Sequence, residues 1–255
     1  MPYNTATMPA PGSAPLVLAV DAGTTGVRAL VVDEAGHLVA ERYQETLPQH
    51  PAPGLVEHDT EAFWRAVLRV VGGALAAVDP TRVRGLGIAT QRGTAVVWER
   101  MTGRAVHPAI SWSDARAGER CAELMSQGLF VSPLMAASKI EWILDRVDAD
   151  RSGVASGRLA CGTIDAWLAF RLSGGRVLAT DPSNAVPSGF YNLVTRDWDD
   201  AVLAALRVPR AAMPALVDTS GVVGALATDG LPAIALAALV GDQQSAMMGP
   251  LRLAP

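Results

Sequence analysis

The chain has 255 residues, of which half are hydrophobic and 18% are charged, and its formal net charge is −4. This composition is typical of a globular protein with a sizeable core. The slight acidity argues against a nucleic-acid or membrane-surface partner, because both call for clustered lysine and arginine. The two cysteines, Cys121 and Cys161, favour reduced core thiols and a cytoplasmic location.

The N-terminal residues 1–15 lack a basic start and an apolar run, so they do not resemble an export signal. Their proline, glycine and small residues predict a disordered tail. The longest apolar run, residues 231–240, is half of the ~20 residues that a membrane-spanning helix needs. We therefore expect a globular domain over residues 16–255 with no membrane segment.

Apolar runs separated by turn residues open this domain. Residues 16–20, 27–32 and 37–46 each predict a strand, and the tight turns between them predict an antiparallel meander. The hydrophobic period then changes to that of a helix over residues 59–78, capped by Asp59 or Thr60.

Strands and helices alternate after this helix, which is typical of a mixed α/β sheet. No linker divides the sequence, so we expect one domain whose sheet begins with the meander and is flanked by helices. The predicted strands are residues 83–89, 94–98 and 233–240, the predicted helices are 114–127, 137–147, 162–172 and 197–206, and residues 180–187 predict a polar loop.

The turn after the first strand, residues 21–26, is a candidate phosphate site. Phosphate binding needs main-chain N–H groups and room for the phosphate to approach. Gly23 provides the room, Thr24 and Thr25 provide hydroxyl donors, and Asp21 can orient Mg²⁺ or its water ligands. The alternative is a polar hairpin turn, in which these residue types are common.

Two further turns carry side chains suited to a small polyol. Arg92 follows a predicted strand, and its planar guanidinium can hold two neighbouring oxygens, although a solvated turn arginine is the alternative. Trp112 can present its ring face to the carbons of a polyol, although most tryptophans are core residues. The four histidines have no metal-ligand spacing, so we expect surface residues at His37, His50, His58 and His107.

The last predicted strand ends at Val240 and is followed by Gly241, Asp242 and Gln243. Ligands of open α/β sheets bind beyond the carboxyl ends of strands, where an aspartate beside a bound alcohol is a natural general base. The alternative is that Asp242 caps the helix that follows, and both roles are compatible.

Taken in order, these motifs resemble the FGGY carbohydrate kinases, and within them the glycerol kinase branch. The resemblance implies the ATPase fold shared with actin, Hsp70 and hexokinase, which is ribonuclease H-like, and ATP-dependent phosphorylation of a polyol or sugar hydroxyl with Mg²⁺. The matching stretches are DAGTTGVRALVVD at 21–33, the segment 87–116, ASKIEWILDRV at 137–147, GTIDAWLAFRLSGG at 162–175, TDPSNA at 180–185 and GDQQSAMMG at 241–249.

The same resemblance implies roles for individual residues. Mg²⁺ would be held near Asp21 through water, and Asp242 would be the catalytic base. The implied phosphate-loop residues are Asp21, Gly23, Thr24, Thr25 and Arg28, and the implied substrate-site residues are Arg92, Trp112, Asp242 and Gln243.

Three departures from the glycerol kinase pattern accompany the resemblance. Gly93 stands where those enzymes usually have glutamate, and Leu134 stands where they usually have tyrosine, so we expect a wider, less polar pocket and a larger polyol or a sugar. Residues 250–255 do not continue the pattern, so we expect the C-terminal nucleotide-binding domain to be absent. Its uncovered partner face favours self-association as a homodimer. The alternative function is a non-catalytic kinase half that binds only a sugar or a partner chain.

Overall fold

The computed structural model describes residues 14–251, with side chains described up to residue 248. Residues 1–13, which hold most of the predicted disordered tail, lie outside the described part of the chain. The same is true of residues 252–255, where the sequence departs from the family pattern.

The described residues form short and long strands interleaved with helices. The strands are β1 (Leu16–Ala22), β2 (Gly26–Asp33), β3 (Leu38–Glu45), β4 (Glu57–His58), β5 (Val83–Thr90), β6 (Ala95–Glu99), β7 (Ala109–Ile110), β8 (Leu159–Thr163), β9 (Ala179–Thr180), β10 (Tyr191–Asn192), β11 (Asp197–Trp198), β12 (Ala215–Leu216), β13 (Ser220–Ala225) and β14 (Ala235–Gly241). The α-helices are α1 (Thr60–Leu75), α2 (Gly118–Ser126), α3 (Ala137–Val147), α4 (Ser152–Ala155), α5 (Ile164–Leu172), α6 (Pro182–Ala185), α7 (Asp200–Ala205) and α8 (Asp242–Leu251).

A six-stranded mixed sheet organises the fold, in the order β13-β14-β5-β1-β2-β3. The antiparallel meander β1-β2-β3 is confirmed, and β5 pairs in parallel with β1 on one side and with β14 on the other. Thr90, at the end of β5, pairs with both Ala22 and Gly241. The carboxyl ends of three parallel strands therefore meet at one edge of the sheet.

A second sheet, in the order β4-β7-β6-β8, was not expected from the sequence. The described chain accordingly has two clusters of buried apolar residues rather than one. The first packs α1 and α5 against the large sheet and includes Phe63 and Trp167. The second packs around α3 and includes Ile140, Phe190 and Trp198. The mixed α/β class is confirmed, with a small antiparallel sheet added to it.

Helix α1 follows from its sequence pattern. The carboxylate of Asp59 accepts hydrogen bonds from the N–H groups of Glu61 and Ala62, which satisfies two of the unpaired donors of the first turn. The predicted apolar side, which includes Phe63 and Val67, is buried. The helix ends at Leu75, slightly before the predicted end.

Other helix boundaries differ from the predictions because side chains hold the chain in turns. The carboxylate of Asp114 accepts hydrogen bonds from the N–H groups of Val56 and Arg116, so α2 begins only at Gly118. Asp199 caps α7, so that helix begins at Asp200, after the short hairpin β10-β11.

Short elements were also missed, among them β8, α6 and β13. Residues 162–163 belong to β8 rather than to a helix, and all five residues of β8 are buried, so they lack the alternation that marks a half-buried strand. The predicted polar loop at 180–187 contains the single-turn helix α6, and the edge strand β13 was not predicted. Cys121 and Cys161 are free and buried, as expected. Among the described residues, no helix is long and apolar enough to cross a membrane.

Candidate active site

The carboxyl ends of β1, β5 and β14 bring three predicted motifs together. Asp21 lies near the end of β1, Arg92 follows β5, and Asp242 follows β14 as the first residue of α8. The Nε of Arg92 is 3.9 Å from Oδ1 of Asp242, and its Nη2 donates a hydrogen bond to Oε1 of Gln243. Residues from opposite ends of the described chain thus form one polar cluster where ligands of open α/β sheets bind.

Gly241 allows this close approach. A Cβ atom at this position would lie 2.6 Å from Cδ of Arg92 and 2.8 Å from Oε1 of Gln244. Any side chain here would therefore displace the guanidinium. Oδ1 of Asp242 accepts a hydrogen bond of 2.7 Å from the N–H of Gln243, so the carboxylate is bound to the first turn of α8 but remains partly exposed.

A buried carboxylate stands behind this edge of the sheet. Asp181 accepts hydrogen bonds of 2.7 Å from the hydroxyls of Ser183 and Thr219, and of 3.0 Å from the amide of Asn184. The Ser183 hydroxyl accepts a hydrogen bond from the N–H of Gly241. The side-chain oxygen Oδ1 of Asn184 accepts a hydrogen bond from the hydroxyl of Thr90. The segment predicted as a polar loop therefore connects the ends of β5 and β14.

The surroundings of Asp21 shift the pKa of its carboxyl group in two opposite directions. Loss of hydration against the strand ends and the negative charge of Asp242 raise the pKa of its carboxyl group, while the nearby Arg28 lowers it. Arg28 lies opposite Asp21 on β2, where its guanidinium forms an ion pair of 3.3 Å with Glu41. Asp242 is thus close enough to Asp21 for its negative charge to raise the pKa of the Asp21 carboxyl group.

The predicted phosphate turn is closed by a hydrogen bond of 3.0 Å from the N–H of Gly23 to the carbonyl oxygen of Gly26. The side chains of Thr24 and Thr25 differ in their surroundings. Thr25 is exposed, whereas the Thr24 hydroxyl donates to Oε1 of Gln91 at 3.2 Å and accepts from the indole N–H of Trp112 at 3.0 Å.

Trp112 is not a core tryptophan, because 39% of its surface remains exposed. Its main-chain N–H donates to the Thr94 hydroxyl at 3.2 Å, and its carbonyl oxygen accepts from Nζ of the buried Lys139 at 3.0 Å. Burial lowers the pKa of Lys139 to about 7, with Asp114 and Cys121 opposing and Arg116 adding to that shift. The ring is thus anchored at its backbone and at its indole nitrogen while one side faces solvent.

His58 contradicts the prediction of a surface histidine. It is 2% exposed, its ring packs edge-on against Phe63, and its Nε2 lies 3.4 Å from the amide nitrogen of Gln91. Burial lowers its pKa to about 4, so the ring is neutral at pH 7. The neighbouring Glu57 is polar, and so the sequence has no apolar run that would have marked this position as buried.

Two of the three departures from the glycerol kinase pattern, Gly93 and Leu134, lie against each other. Gly93 has a φ of +71°, and a Cβ atom there would collide with the carbonyl oxygen of Leu134. The Leu134 side chain is 60% exposed. The space that a side chain at position 93 would need is therefore filled by main chain, so Gly93 does not widen the pocket as the sequence predicted.

The donor set at the strand ends suits a phosphate with its divalent cation. The Asp21 carboxylate, whose pKa is raised by loss of hydration and by the negative charge of Asp242, is the ligand type that Mg²⁺ prefers when phosphate oxygens and water complete its shell. No cluster of three or more histidine, cysteine or acidic residues with metal-site geometry occurs among the described residues. A cation held by protein ligands alone does not fit this site, and one shared with a phosphate does.

The model of the N-terminal domain of the FGGY family of carbohydrate kinases matches residues 16–249. The chain belongs to this family. It is 43% identical over 249 residues to a glycerol kinase from Paracidovorax citrulli (strain AAC00-1), covering 91% of this chain and 49% of that protein. The chain therefore spans about half the length of the curated relatives it matches.

Solved structures of FGGY relatives show the same fold. Plasmodium falciparum glycerol kinase with ADP superimposes with a TM-score of 0.87 at 23% identity, covering 93% of this chain and 50% of that one. A xylulose kinase from Rhodospirillum rubrum superimposes with a TM-score of 0.79 at 22% identity, covering 91% and 50%. The predicted actin- and hexokinase-like fold is confirmed.

Proposed function

We propose that this FGGY chain supplies the substrate site, the catalytic base and one phosphate turn of an ATP-dependent polyol or sugar kinase. The observation that carries the proposal is the meeting of Asp21, Arg92 and Asp242 at three neighbouring strand ends. Phosphoryl transfer to an alcohol uses a carboxylate that accepts the hydroxyl proton, a cationic side chain that positions oxygens and a turn that binds phosphate. Asp242, Arg92 and the turn after β1 are suited to these three roles.

In the proposed reaction, Asp242 accepts the proton of the substrate hydroxyl. The freed oxygen forms a bond to the γ-phosphorus of ATP, and the bond from that phosphorus to the ADP oxygen breaks. Arg92, held by Gln243, orients two substrate oxygens, and the exposed side of Trp112 covers the substrate carbons. Mg²⁺ near Asp21 would neutralise phosphate charge when bound, and Thr25 and the turn N–H groups would bind phosphate oxygens.

The substrate we propose is larger than glycerol. Gly93 offers no carboxylate to a bound hydroxyl, and the Leu134 carbonyl leaves no space for a longer side chain at that position. The exposed Leu134 adds apolar rather than hydrogen-bonding surface. A longer polyol or a sugar uses Arg92 and Asp242 in the same way and gains contact with this apolar rim.

The test uses this chain joined to the C-terminal half of the Paracidovorax citrulli glycerol kinase, assayed for ADP release against glycerol, longer polyols and sugars. Asp242→Asn should lower kcat by on the order of 10²–10⁴. The control is Asp229→Asn, since Asp229 is an exposed carboxylate on a loop away from the strand ends. Equal turnover of Asp242→Asn and the parent would exclude Asp242 as the base.

A calorimetric titration of the 255-residue chain tests how much of the nucleotide site this half supplies. A half-site should bind ATP weakly by itself and a polyol or sugar measurably. Tight ATP binding by this chain alone would contradict the proposal that a second domain supplies most of the nucleotide contacts.

A further inference from the structure

The main-chain N–H and the indole N–H of Trp112 are each connected through one threonine hydroxyl to the same atom, Oε1 of Gln91. The indole N–H donates to the Thr24 hydroxyl, which donates to this oxygen at 3.2 Å. The main-chain N–H donates to the Thr94 hydroxyl, which donates to the same oxygen at 3.1 Å. Two threonines thus connect an exposed tryptophan to a fully buried amide.

The Gln91 amide has a partner for each of its four hydrogen-bonding positions. Its oxygen accepts from the two hydroxyls, and its nitrogen donates to the carbonyl oxygen of Gly23 and to Nε2 of His58, each at 3.4 Å. Because an amide nitrogen cannot accept, Nε2 of His58 is the acceptor and the ring carries its proton on Nδ1. The neutral form favoured by the low pKa of His58 fits this assignment.

The single proton of the Thr24 hydroxyl is used by these contacts. A hydroxyl has one proton to donate, and that of Thr24 goes to Gln91 while its oxygen accepts from Trp112. It therefore has no proton for a phosphate oxygen. The exposed Thr25 is the hydroxyl of the turn that is open to a phosphate.

We propose that Thr24 and Gln91 are positioning residues that fix the indole of Trp112 in the substrate site, so that the Thr24 side chain serves substrate binding and not phosphate binding. The proposal rests on the proposed substrate role of Trp112. A partly exposed tryptophan without an anchored indole would have to lose side-chain freedom whenever substrate binds. Anchoring it beforehand lowers the free-energy cost of binding the substrate.

The contact itself can be tested on the 255-residue chain without any activity. The indole ¹H–¹⁵N resonance of Trp112, assigned by its loss in Trp112→Phe, should shift and exchange faster with solvent in Thr24→Val. It should keep its position in Thr24→Ser, which retains a hydroxyl, and in Thr25→Val. An unmoved Trp112 resonance in a folded Thr24→Val variant would overturn the proposal, whatever the enzyme's activity.

In the joined enzyme, we expect Thr24→Val to change the Michaelis constant for the polyol or sugar without changing the one for ATP. Thr24→Val should raise KM for the polyol or sugar by roughly 3- to 10-fold, the effect of one lost hydrogen bond, and leave KM for ATP unchanged. Thr25→Val should do the reverse, and Thr24→Ser should restore the parent KM for the polyol or sugar. A rise in KM for ATP alone in Thr24→Val would overturn the assignment.

The two experiments fail in different ways. An inactive joined enzyme in which the Trp112 resonance responds to Thr24→Val would contradict the proposed function and leave the anchoring of Trp112 established. Measurable turnover with no response of the Trp112 resonance to Thr24→Val would support the proposed function and contradict the anchoring of Trp112.

Discussion

The main-chain N–H of Gly241 donates a hydrogen bond of 2.7 Å to the hydroxyl of Ser183, which in turn donates to the buried Asp181. This hydroxyl therefore fixes the backbone immediately before Asp242. A short polar segment without an evident role in the sequence holds the end of β14 in place, and with it the start of α8.

Replacing Ser183 by alanine should release this contact. The N–H of Gly241 and the carboxylate of Asp181 would each lose a partner, at a cost of about 1–3 kcal/mol in the free energy of unfolding. Denaturant unfolding measures that loss, and amide hydrogen exchange at Gly241 should accelerate. The matched control is Ser126→Ala, whose hydroxyl makes one exposed contact, with Glu123. Unchanged exchange at Gly241 in Ser183→Ala would show that the hydroxyl does not hold the strand end.

Position 93 should not tolerate a side chain. Gly93→Ala combines a left-handed φ with a collision against the Leu134 carbonyl, so we expect a loss of about 2–4 kcal/mol in the free energy of unfolding. Gly36→Ala is the control, because Gly36 has a similar φ of +83° and open space around it. That variant isolates the backbone strain, about 1–2 kcal/mol. Equal losses in the two variants would mean that Leu134 moves aside freely.

His58 should make the fold less stable in mild acid. Its pKa is about 4 in the folded chain and 6.5 when exposed, so between these values the unfolded chain binds the proton and the folded chain does not. Protonation of His58 therefore does not lower the free energy of unfolding above pH 6.5, and it lowers that free energy progressively as the pH drops towards 4. At pH 5 the loss is about 2 kcal/mol.

Urea unfolding of the parent and of His58→Gln between pH 5 and pH 7.5 measures this contribution. Carboxylates titrate in both proteins, so the difference between their slopes belongs to His58. Parallel pH profiles would contradict a buried neutral imidazole.

The concave surface below the strand ends should promote self-association. It is lined by small and apolar side chains of β1, β2, β5 and β14, including Ala19, Leu30 and Val240, and it reaches the candidate site residues Asp21 and Asp242. Sedimentation velocity should show a weight-average coefficient that rises with concentration, and Ala19→Lys should reduce that rise. A strictly monomeric chain at high concentration would contradict this expectation. The homodimer and the cytoplasmic location inferred from the sequence stay predictions.

The meander of the large sheet and helix α1 could be predicted because their signals are local. The apolar run before Asp21, the turn residues after it and the Asp59 cap each act within a few residues, and β1, β2, β3 and α1 appear where they were expected. Strand β8 was missed because burial on both faces removes the alternation that periodicity detects.

The site residues could be named from motifs, but their hydrogen bonds could not. Gln91 was part of a quoted motif, yet its role depends on Thr24 and Trp112, which reach it from distant parts of the chain. The burial of His58 depends likewise on packing against Phe63 and Gln91. Contacts of this kind are fixed by tertiary structure, and no pattern of neighbouring residues encodes them.

The place of β5 between β1 and β14 has a consequence for biosynthesis. Ala89 of β5 pairs with Asp21 on one side and with Val240 on the other. Strand β5 is therefore fully paired only when segments from both ends of the described chain are present. During translation the meander, α1 and β5 can assemble early, and the unpaired edge of β5 stays open until β14 leaves the ribosome. The turn at residues 21–26 can therefore form long before the carboxylate of Asp242 reaches it.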